Sequence, residues 1–393
     1  MFKHLFKLIW NKKKQNFLLI SEMLISFLVI FAVFTLIVFY YRNYKKPMGF
    51  AYEDVWIVSY NNSLKSSRLD SVVPFYETLK QTIRSMPYVA DATFSSNNTP
   101  LTQNTWQGSV TYNGREINSV NFFHTDDSYK NVLNLKMLEG RWFSKEDAVA
   151  KSKPVIINNS LKLLFFGNDK AEGKLIDGEN KDKLKIVGVV EDMKVKGDYA
   201  ISGTATYYRI DSGAFNWLGK ILVRVKPGAD AAFESRLYKT MANYLKNSNV
   251  EIEHLVNKRK SINYFSLVPM IVLLIVAGFL VINVALGLFG VLWYNINKRR
   301  GEIGLRRAVG ASGSSVCGQL VAEALILATF SLIIGSFFAV QFPLLNVFDL
   351  PPGVYLTALV FAVLFIYFLV LVCSLYPGRQ AARIYPAVAL HEE

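Results

Sequence analysis

Long stretches without formal charge divide this chain and form its most informative pattern. The charge-free windows contain 19, 37, 25 and 29 residues and lie between Glu22 and Arg42, Lys260 and Lys298, Glu323 and Asp349, and Asp349 and Arg379. A helix needs about 20 apolar residues to cross the hydrocarbon core of a membrane, whereas apolar runs of about 10–14 residues are typical of buried core helices. The pattern therefore predicts four transmembrane helices.

The first window has the basic start of a secretion signal, with five lysines before Phe17. An export signal has a shorter apolar core and a small-residue cleavage site, whereas this apolar run continues to Tyr41. We therefore expect an uncleaved anchor. Apolar residues at helical spacing in residues 2–10 predict an amphipathic helix on the cytoplasmic membrane face. A plain basic flank is the alternative.

Between the first two windows the pattern changes to short segments typical of an α/β domain. The order strand, helix, strand occurs twice, at 55–58, 72–86 and 88–94, and again at 221–225, 230–245 and 250–255. The stretch between these two halves contains predicted strands near 108–112, 117–123, 154–158 and 184–191. We interpret this as one subdomain of two β-α-β halves that is interrupted by an insertion.

Composition agrees with a membrane protein, and charge orients it. Hydrophobic residues make up 52% of the chain and charged residues 19%, compared with about 25% charged in soluble domains. Lysine and arginine accumulate before residue 17 and in the loop 295–315, whereas the loop between the last two windows carries only Asp349. The positive-inside rule therefore predicts cytoplasmic termini and an exported segment 42–260. The net charge of +14 suits anionic lipid, and no nucleic-acid partner is expected.

The sequence carries no pattern typical of an enzyme or a metal site. Its 2 cysteines and 4 histidines are scattered, which predicts neither a disulfide framework nor a metal centre. The nearest phosphate-loop pattern, at 167–175, has five residues between its glycines where the motif has four, and it ends in Leu175. We expect a non-catalytic chain that binds no cofactor directly.

The cytoplasmic loop is the strongest functional candidate. Residues 297–312 read NKRRGEIGLRRAVGAS. Ile303, Arg306, Arg307 and Gly310 fall at helical spacing, which predicts a short helix on the membrane surface. Charges interleaved with small residues suit docking into a partner's groove, and a plain positive-inside loop is the alternative.

These segments resemble a known family. Residues 302–311 are similar to the coupling-helix signature of MacB/FtsX-type ABC transporter permeases. The tail 376–390 resembles the family's closing segment, and 138–143, 154–158 and 185–190 resemble its exported-domain motifs. The order of one helix, a large exported domain and three more helices also resembles the family along the whole chain. Two departures are Gly301 and Tyr385, which stand where the family often has charged residues.

The resemblance implies a permease dimer whose coupling helices insert into grooves of an ABC ATPase. The residues that would take this coupling role are Glu302, Ile303, Gly304, Arg306, Arg307, Ala308 and Gly310. Glu323 also matches the family pattern, as a transmembrane acid of undefined role. ATP and Mg²⁺ would bind the partner ATPase, which is expected to be a separate chain.

The implied fold is a four-helix membrane protein with a large extracytoplasmic α/β domain, which has porter-like halves and a Sabre-like insertion. The predicted division is a cytoplasmic amphipathic helix 1–16, transmembrane helix 1 at 17–41, an exported domain 42–260 (porter-like parts 53–95 and 218–256, insertion 96–217), transmembrane helix 2 with a stalk at 261–294, a coupling loop 295–315, transmembrane helices at 316–342 and 354–377, and a cytoplasmic tail 378–393.

The function implied by the resemblance is mechanotransmission in the bacterial cytoplasmic membrane, for export or efflux of an amphipathic compound or peptide. The alternatives are a regulator that activates a cell-wall hydrolase, a lipoprotein-extracting subunit, and a membrane sensor outside the ABC class. Expected partners are an ATPase dimer, a second or homologous permease, and membrane lipid. A periplasmic adaptor, an outer-membrane channel and a hydrolase are further candidates.

Overall fold

The structure is a computed structural model that describes residues 13–61, 69–102, 105–150, 152–179, 181–246 and 248–384. Most of the predicted amphipathic helix 1–16 lies outside the described residues, as does the tail beyond residue 384. The chain divides into two compact units. The first contains the residues up to Arg42 and from Leu267 onward, and the second contains Asn43–Ser266.

The described residues form nine α-helices and eleven β-strands. The helices are α1 Lys13–Tyr44, α2 Leu69–Ser85, α3 Tyr129–Leu133, α4 Asn159–Phe166, α5 Ala231–Tyr244, α6 Leu255–Lys298, α7 Arg300–Ala308, α8 Gly313–Leu344 and α9 Pro352–Ala382. The strands are β1 Val55–Tyr60, β2 Val89–Ser95, β3 Gln107–Tyr112, β4 Arg115–Thr125, β5 Met137–Gly140, β6 Lys153–Asn158, β7 Leu175–Asp177, β8 Lys183–Val190, β9 Ala205–Arg209, β10 Lys220–Val225 and β11 Val250–His254.

Four of these helices confirm the predicted membrane-spanning segments. Helices α1, α6, α8 and α9 contain 32, 44, 32 and 31 residues and are long and apolar enough to cross a membrane. They are longer than the charge-free windows because polar ends extend them. The Ser312 side chain accepts from the Ser315 N–H and caps α8. Pro352 occupies the first turn of α9, where its missing N–H has no helical partner to lose.

The first unit has an apolar core in which small residues allow helices to approach. Phe27 and Phe31 of α1 pack among buried residues of α8 and α9 that include Ala328 and Ala358. A β-carbon on Gly335 would lie 2.4 Å from the Phe27 ring, so only glycine admits that ring at this point of α8. Helix α6 differs from its neighbours, since 6% of its most apolar window is buried in the chain, against 44% for α1 and α8.

The second unit contains the predicted pair of β-α-β halves. Strands β1 and β2 flank α2, strands β10 and β11 flank α5, and the sheet order is β11-β1-β10-β2 with every pairing antiparallel. This is a split β-α-β arrangement. One face of the sheet packs on the two helices through a core rich in aromatic rings, including Tyr76, Phe94 and Phe215.

The insertion between β2 and β10 closes into a ring of strands. Its order is β4-β3-β7-β8-β6-β9, and β9 pairs in parallel with β4 to complete the ring. Apolar side chains such as Val120, Val155 and Ile186 fill its interior. A separate core joins the insertion to the remaining face of the sheet, with Ile57 and Leu222 contributing from the sheet. Helix α6 begins at Leu255, directly after β11 ends at His254.

Candidate functional site

Helix α7, in the predicted coupling loop, is nine residues long and ends sharply. The Gly310 N–H donates to the Arg307 carbonyl at 3.2 Å, and the Ala311 N–H donates to the Arg306 carbonyl at 3.0 Å. Gly310 has a φ of +101°. These bonds form a Schellman motif, which favours glycine at its left-handed position. Gly310 therefore terminates the helix, whereas the sequence spacing placed it on the helix.

The inner face of α7 is anchored by Ile303. This side chain is 7% exposed and packs with Ile296, Val316, Leu320 and Ala381. Gly304 is also buried. Two residues to which the sequence assigned a coupling role therefore face the chain itself. They hold α7 against α6, α8 and α9.

A network of charged side chains fixes the start of α7. The Arg299 Nε donates to Glu302 Oε2 at 3.0 Å, and its Nη1 donates to the two Glu323 oxygens at 3.2 and 3.4 Å. The side chains of Arg299 and Glu323 are only 15% and 16% exposed. Hydrogen bonding to Glu302 is the main cause that raises the pKa of Arg299. Burial opposes this shift, and the charge of Glu323 adds to it. The guanidinium therefore stays charged and ties α7 to α8.

Two further residues complete this network. Arg306 donates to Glu302 Oε1 at 2.5 Å and to Gln319 Oε1 at 2.8 Å. The Gln319 amide in turn donates to Glu323 Oε1 at 3.1 Å. Glu302, Arg306 and Glu323 were proposed from the sequence, whereas Arg299 and Gln319 were missed. Gln319 precedes Glu323 by one helical turn, and that spacing was the available signal.

The exposed surface at the end of α7 includes an apolar patch. Leu305 is 56% exposed and Val309 is 82% exposed. They lie four residues apart, on neighbouring turns, and the exposed Ala308 lies beside them. Arg307 is half-buried near Gly313, and its Nε is buried without a hydrogen-bond partner. We call Leu305, Ala308 and Val309 the apolar tip.

No metal-binding arrangement accompanies this site in the described ranges. Within them, no group of three or more His, Cys, Asp or Glu side chains could hold a metal ion. The site contains oppositely charged side chains, amides and aliphatic groups. Such a set can orient a helix and present a surface to another protein.

Two family models match the chain in order. A MacB-like periplasmic core domain covers residues 17–238, which is more than half of the chain. An FtsX-like permease C-terminal domain covers residues 266–386. The chain belongs to the MacB/FtsX family of ABC transporter permeases. This family supplies the transmembrane component of ABC transporters, which is not itself catalytic, and its permeases work with ABC ATPase partners.

Curated MacB proteins are similar to this MacB/FtsX-family chain over much of its length. The macrolide export ATP-binding/permease protein MacB of Escherichia coli strain K12 is 26% identical over 332 residues, which cover 79% of this chain and 48% of the relative. The protein of the same name from Shigella sonnei is 26% identical over 336 residues, with the same coverage. The chain thus spans about half the length of these relatives.

Solved structures also match about half of the chain. The periplasmic region of MacB from Actinobacillus actinomycetemcomitans is 17% identical with a TM-score of 0.39, covering 53% of this chain and 92% of that one. The extracellular domain of the transporter YknZ from Gram-positive bacteria is 14% identical with a TM-score of 0.36, covering 50% and 99%. Four apolar helices and a periplasmic-type domain fit an inner-membrane protein. The sidedness of its termini stays a prediction.

Proposed function

We propose that this permease couples ATP hydrolysis by an ABC ATPase to movement of the domain formed by residues 43–266. The observation that carries the proposal is the two-sided construction of α7. Ile303 and the Arg299 network hold the helix on its own chain, whereas Leu305 and Val309 are exposed. An exposed apolar pair on a firmly anchored helix suits insertion into a groove of a partner protein.

This arrangement redistributes the roles proposed for the coupling residues. Ile303, Gly304, Glu302 and Arg306 position the helix, and Gly310 ends it. The apolar tip would contact the ATPase, with Arg307 beside it. ATP and Mg²⁺ would bind to the ATPase. The expectation that the ATPase is a separate chain stays a prediction.

A second copy of the permease, or a homologous one, would complete the transporter. Helix α6 buries only 6% of its most apolar window in the chain. Large side chains such as Ile275, Phe279 and Leu286 are more than half exposed. Within a membrane such a surface contacts lipid or packs against another helix, and we propose that part of it forms a dimer interface.

The proposed substrate is an amphipathic compound or peptide that is exported. This rests on the names of the MacB relatives, which describe macrolide export. Regulation of a cell-wall hydrolase and lipoprotein extraction stay alternatives. Transport of a macrolide by membrane vesicles that contain the permease and its ATPase separates export from both of them.

A pull-down in mild detergent tests the coupling site. Tagged wild type is compared with Leu305→Asp/Val309→Asp, with Arg306→Glu/Arg307→Glu, and with Val149→Asp. Val149 is 88% exposed in the other unit, so its variant controls for placing an acid on an exposed valine. ATPase activity is measured in each eluate.

We expect wild type and Val149→Asp to retain an ABC ATPase and the apolar-tip variant to lose it. Loss only in the charge-reversal variant would show that the apolar tip does not make the contact and that the ATPase depends on Arg306 and Arg307, either directly or through their hold on α7. If wild type retains no ABC ATPase even after cross-linking, the coupling function is wrong and a free-standing membrane sensor becomes the better account.

A further inference from the structure

The loop between β8 and β9 holds the ends of two long helices, α1 and α6. Lys194 lies in this loop and is 1% exposed. Its ammonium group donates to the Asn43 carbonyl, to the Lys46 carbonyl at 2.6 Å and to the Asp198 carbonyl at 3.1 Å. All three ammonium hydrogens thus have acceptors. Asn43 belongs to the last turn of α1, where a cation also complements the helix dipole.

Asp198, in the same loop, holds the beginning of α6. Its side chain is 6% exposed, and Arg259 binds it with two hydrogen bonds of 2.9 and 2.7 Å. The Asn263 amide donates to Asp198 Oδ2 at 2.8 Å, and the Asp198 N–H donates to Asn263 Oδ1 at 3.0 Å. Arg259 and Asn263 are one helical turn apart, so the carboxylate engages two successive turns of α6.

Close packing supports these bonds on both sides. Tyr199 stacks on Tyr44 of α1 at 5.9 Å between ring centroids, and its carbonyl accepts from the Asn43 side chain at 3.0 Å. Gly197 has a φ of +91°, and a β-carbon there would lie 2.7 Å from both Asn263 Oδ1 and Ile262 Cγ2. The loop thus approaches α6 as closely as glycine permits.

Burying charged side chains in this loop costs free energy that a purely structural loop could avoid. Burial lowers the pKa of Lys194, an effect that the charge of Asp198 partly opposes. Apolar side chains of similar volume often replace buried charges without loss of stability. A buried lysine and a buried aspartate in one short loop therefore suggest that fixed geometry between the helices matters. Hydrogen bonds impose that geometry more strictly than apolar contacts do.

We propose that residues 194–199 are the joint through which displacement of α1 and α6 reaches the exported domain. We call these residues the helix latch. This inference rests on the proposed function, because it presumes that ATP hydrolysis moves the helices. Lys194 and Asp198 act in it as positioning residues. A latch that binds both helix ends makes them move together.

The test uses the permease purified with its ATPase, in lipid nanodiscs. Asp198→Asn removes the negative charge of Asp198 and retains nearly the same side-chain shape, and Lys194→Met is a second variant. Asp147→Asn is the matched control, because Asp147 is 5% exposed and Arg141 binds it with two bonds of 2.6 and 2.8 Å. Hydrogen exchange over residues 205–254 is compared without nucleotide and after ATP with vanadate, and ATPase activity is measured alongside.

We expect nucleotide to change the exchange of residues 205–254 in wild type and in Asp147→Asn. In Asp198→Asn we expect that change to disappear while ATPase activity stays within about twofold of wild type. If Asp198→Asn responds to nucleotide as Asp147→Asn does, the latch does not transmit motion. If wild type shows ATPase activity but no nucleotide-dependent exchange, or no ATPase co-purifies, the proposed function fails instead. Should Asp198→Asn not fold, as judged by size exclusion and circular dichroism, Lys194→Met decides the question.

Discussion

Removing the Glu323 carboxylate provides a quantitative test of how α7 is held. In Glu323→Ala, Arg299 loses the contacts at 3.2 and 3.4 Å, and Gln319 loses its acceptor at 3.1 Å. Arg299 keeps its hydrogen bond to Glu302 at 3.0 Å, so the guanidinium still has an ionic partner. Loss of a partner from a fully buried pair costs about 3–5 kcal/mol, and exposed pairs contribute about 0–1 kcal/mol. With side chains 15–16% exposed and one partner retained, we expect about 1–2 kcal/mol.

The appropriate assay is local, because a two-unit membrane protein does not unfold in one step. Hydrogen exchange of peptides covering residues 299–311 reports the opening of α7. A loss of about 1–2 kcal/mol speeds exchange through that opening roughly 5- to 30-fold. Glu302→Ala serves as the comparison, since Glu302 is 44% exposed, and its loss is expected to cost less than about 1 kcal/mol. Asp182→Ala, which removes an exposed pair with Lys153, controls for a general change.

Hydrogen exchange of Glu323→Ala and Glu302→Ala can each refute this account of how α7 is held. If Glu323→Ala changes exchange of residues 299–311 by less than twofold, the bridge between α7 and α8 does not hold the helix. If Glu302→Ala has the larger effect, the helix is held by its own exposed charges and not by α8.

Three further changes have expected outcomes. Ile303→Ala leaves a cavity among Ile296, Val316 and Leu320 and should cost about 2–4 kcal/mol. The measurement is faster hydrogen exchange of α7. Leu305→Ala, at an exposed position, should change that exchange little. Gly310→Ala places a β-carbon on a residue with a φ of +101° and should cost about 1–2 kcal/mol. Hydrogen exchange of α7 should again become faster, and unchanged exchange would contradict the Schellman assignment. Hydrogen bonding to Arg141 holds the pKa of Asp147 below its usual value. The pair therefore stabilises the fold at pH values above the unfolded-state pKa of about 3.9. This stabilisation is lost as the pH falls through the lower pKa of the folded state. Hydrogen exchange of peptides covering residues 141–150, measured between pH 6 and 2 and corrected for the intrinsic pH dependence of exchange, should therefore show a smaller acid-induced loss of protection in Asp147→Asn than in wild type, and equal losses would contradict the assignment.

The helices and the split sheet could be predicted because their signals are local. Each membrane helix follows from a run without charge, and each β-α-β half follows from short-range periodicity. The closed ring could not be predicted in the same way. It depends on the parallel pairing of Asn121 with Ala205 and of Thr125 with Arg209, and nothing in either strand's period specifies a partner so distant in sequence.

The same limit applies to the candidate site. The spacing of residues 302–310 predicted a helix but could not show which face would be buried. Ile303 faces inward because α6, α8 and α9 converge on it, which is a tertiary property. Arg299 belongs to a basic run that reads as a plain membrane flank, and its role depends on Glu323 being positioned beside it. Lys194 and Asp198 gave no signal at all, since an exposed loop of mixed charge has the same composition.

The strand order of the domain formed by residues 43–266 also determines when its parts can assemble. Strand β1 pairs only with β10 and β11 among the described strands, and both follow the whole insertion in the chain. Closing so long a loop carries an entropic cost, and pairings of this kind slow folding. The strands of the ring all lie between Gln107 and Arg209, so the ring can be complete before β10 is synthesised. During synthesis, the apolar strand β1 therefore lacks both of its strand partners while the ring can already be complete. Its two unpaired edges make β1 the described strand most exposed to mispairing.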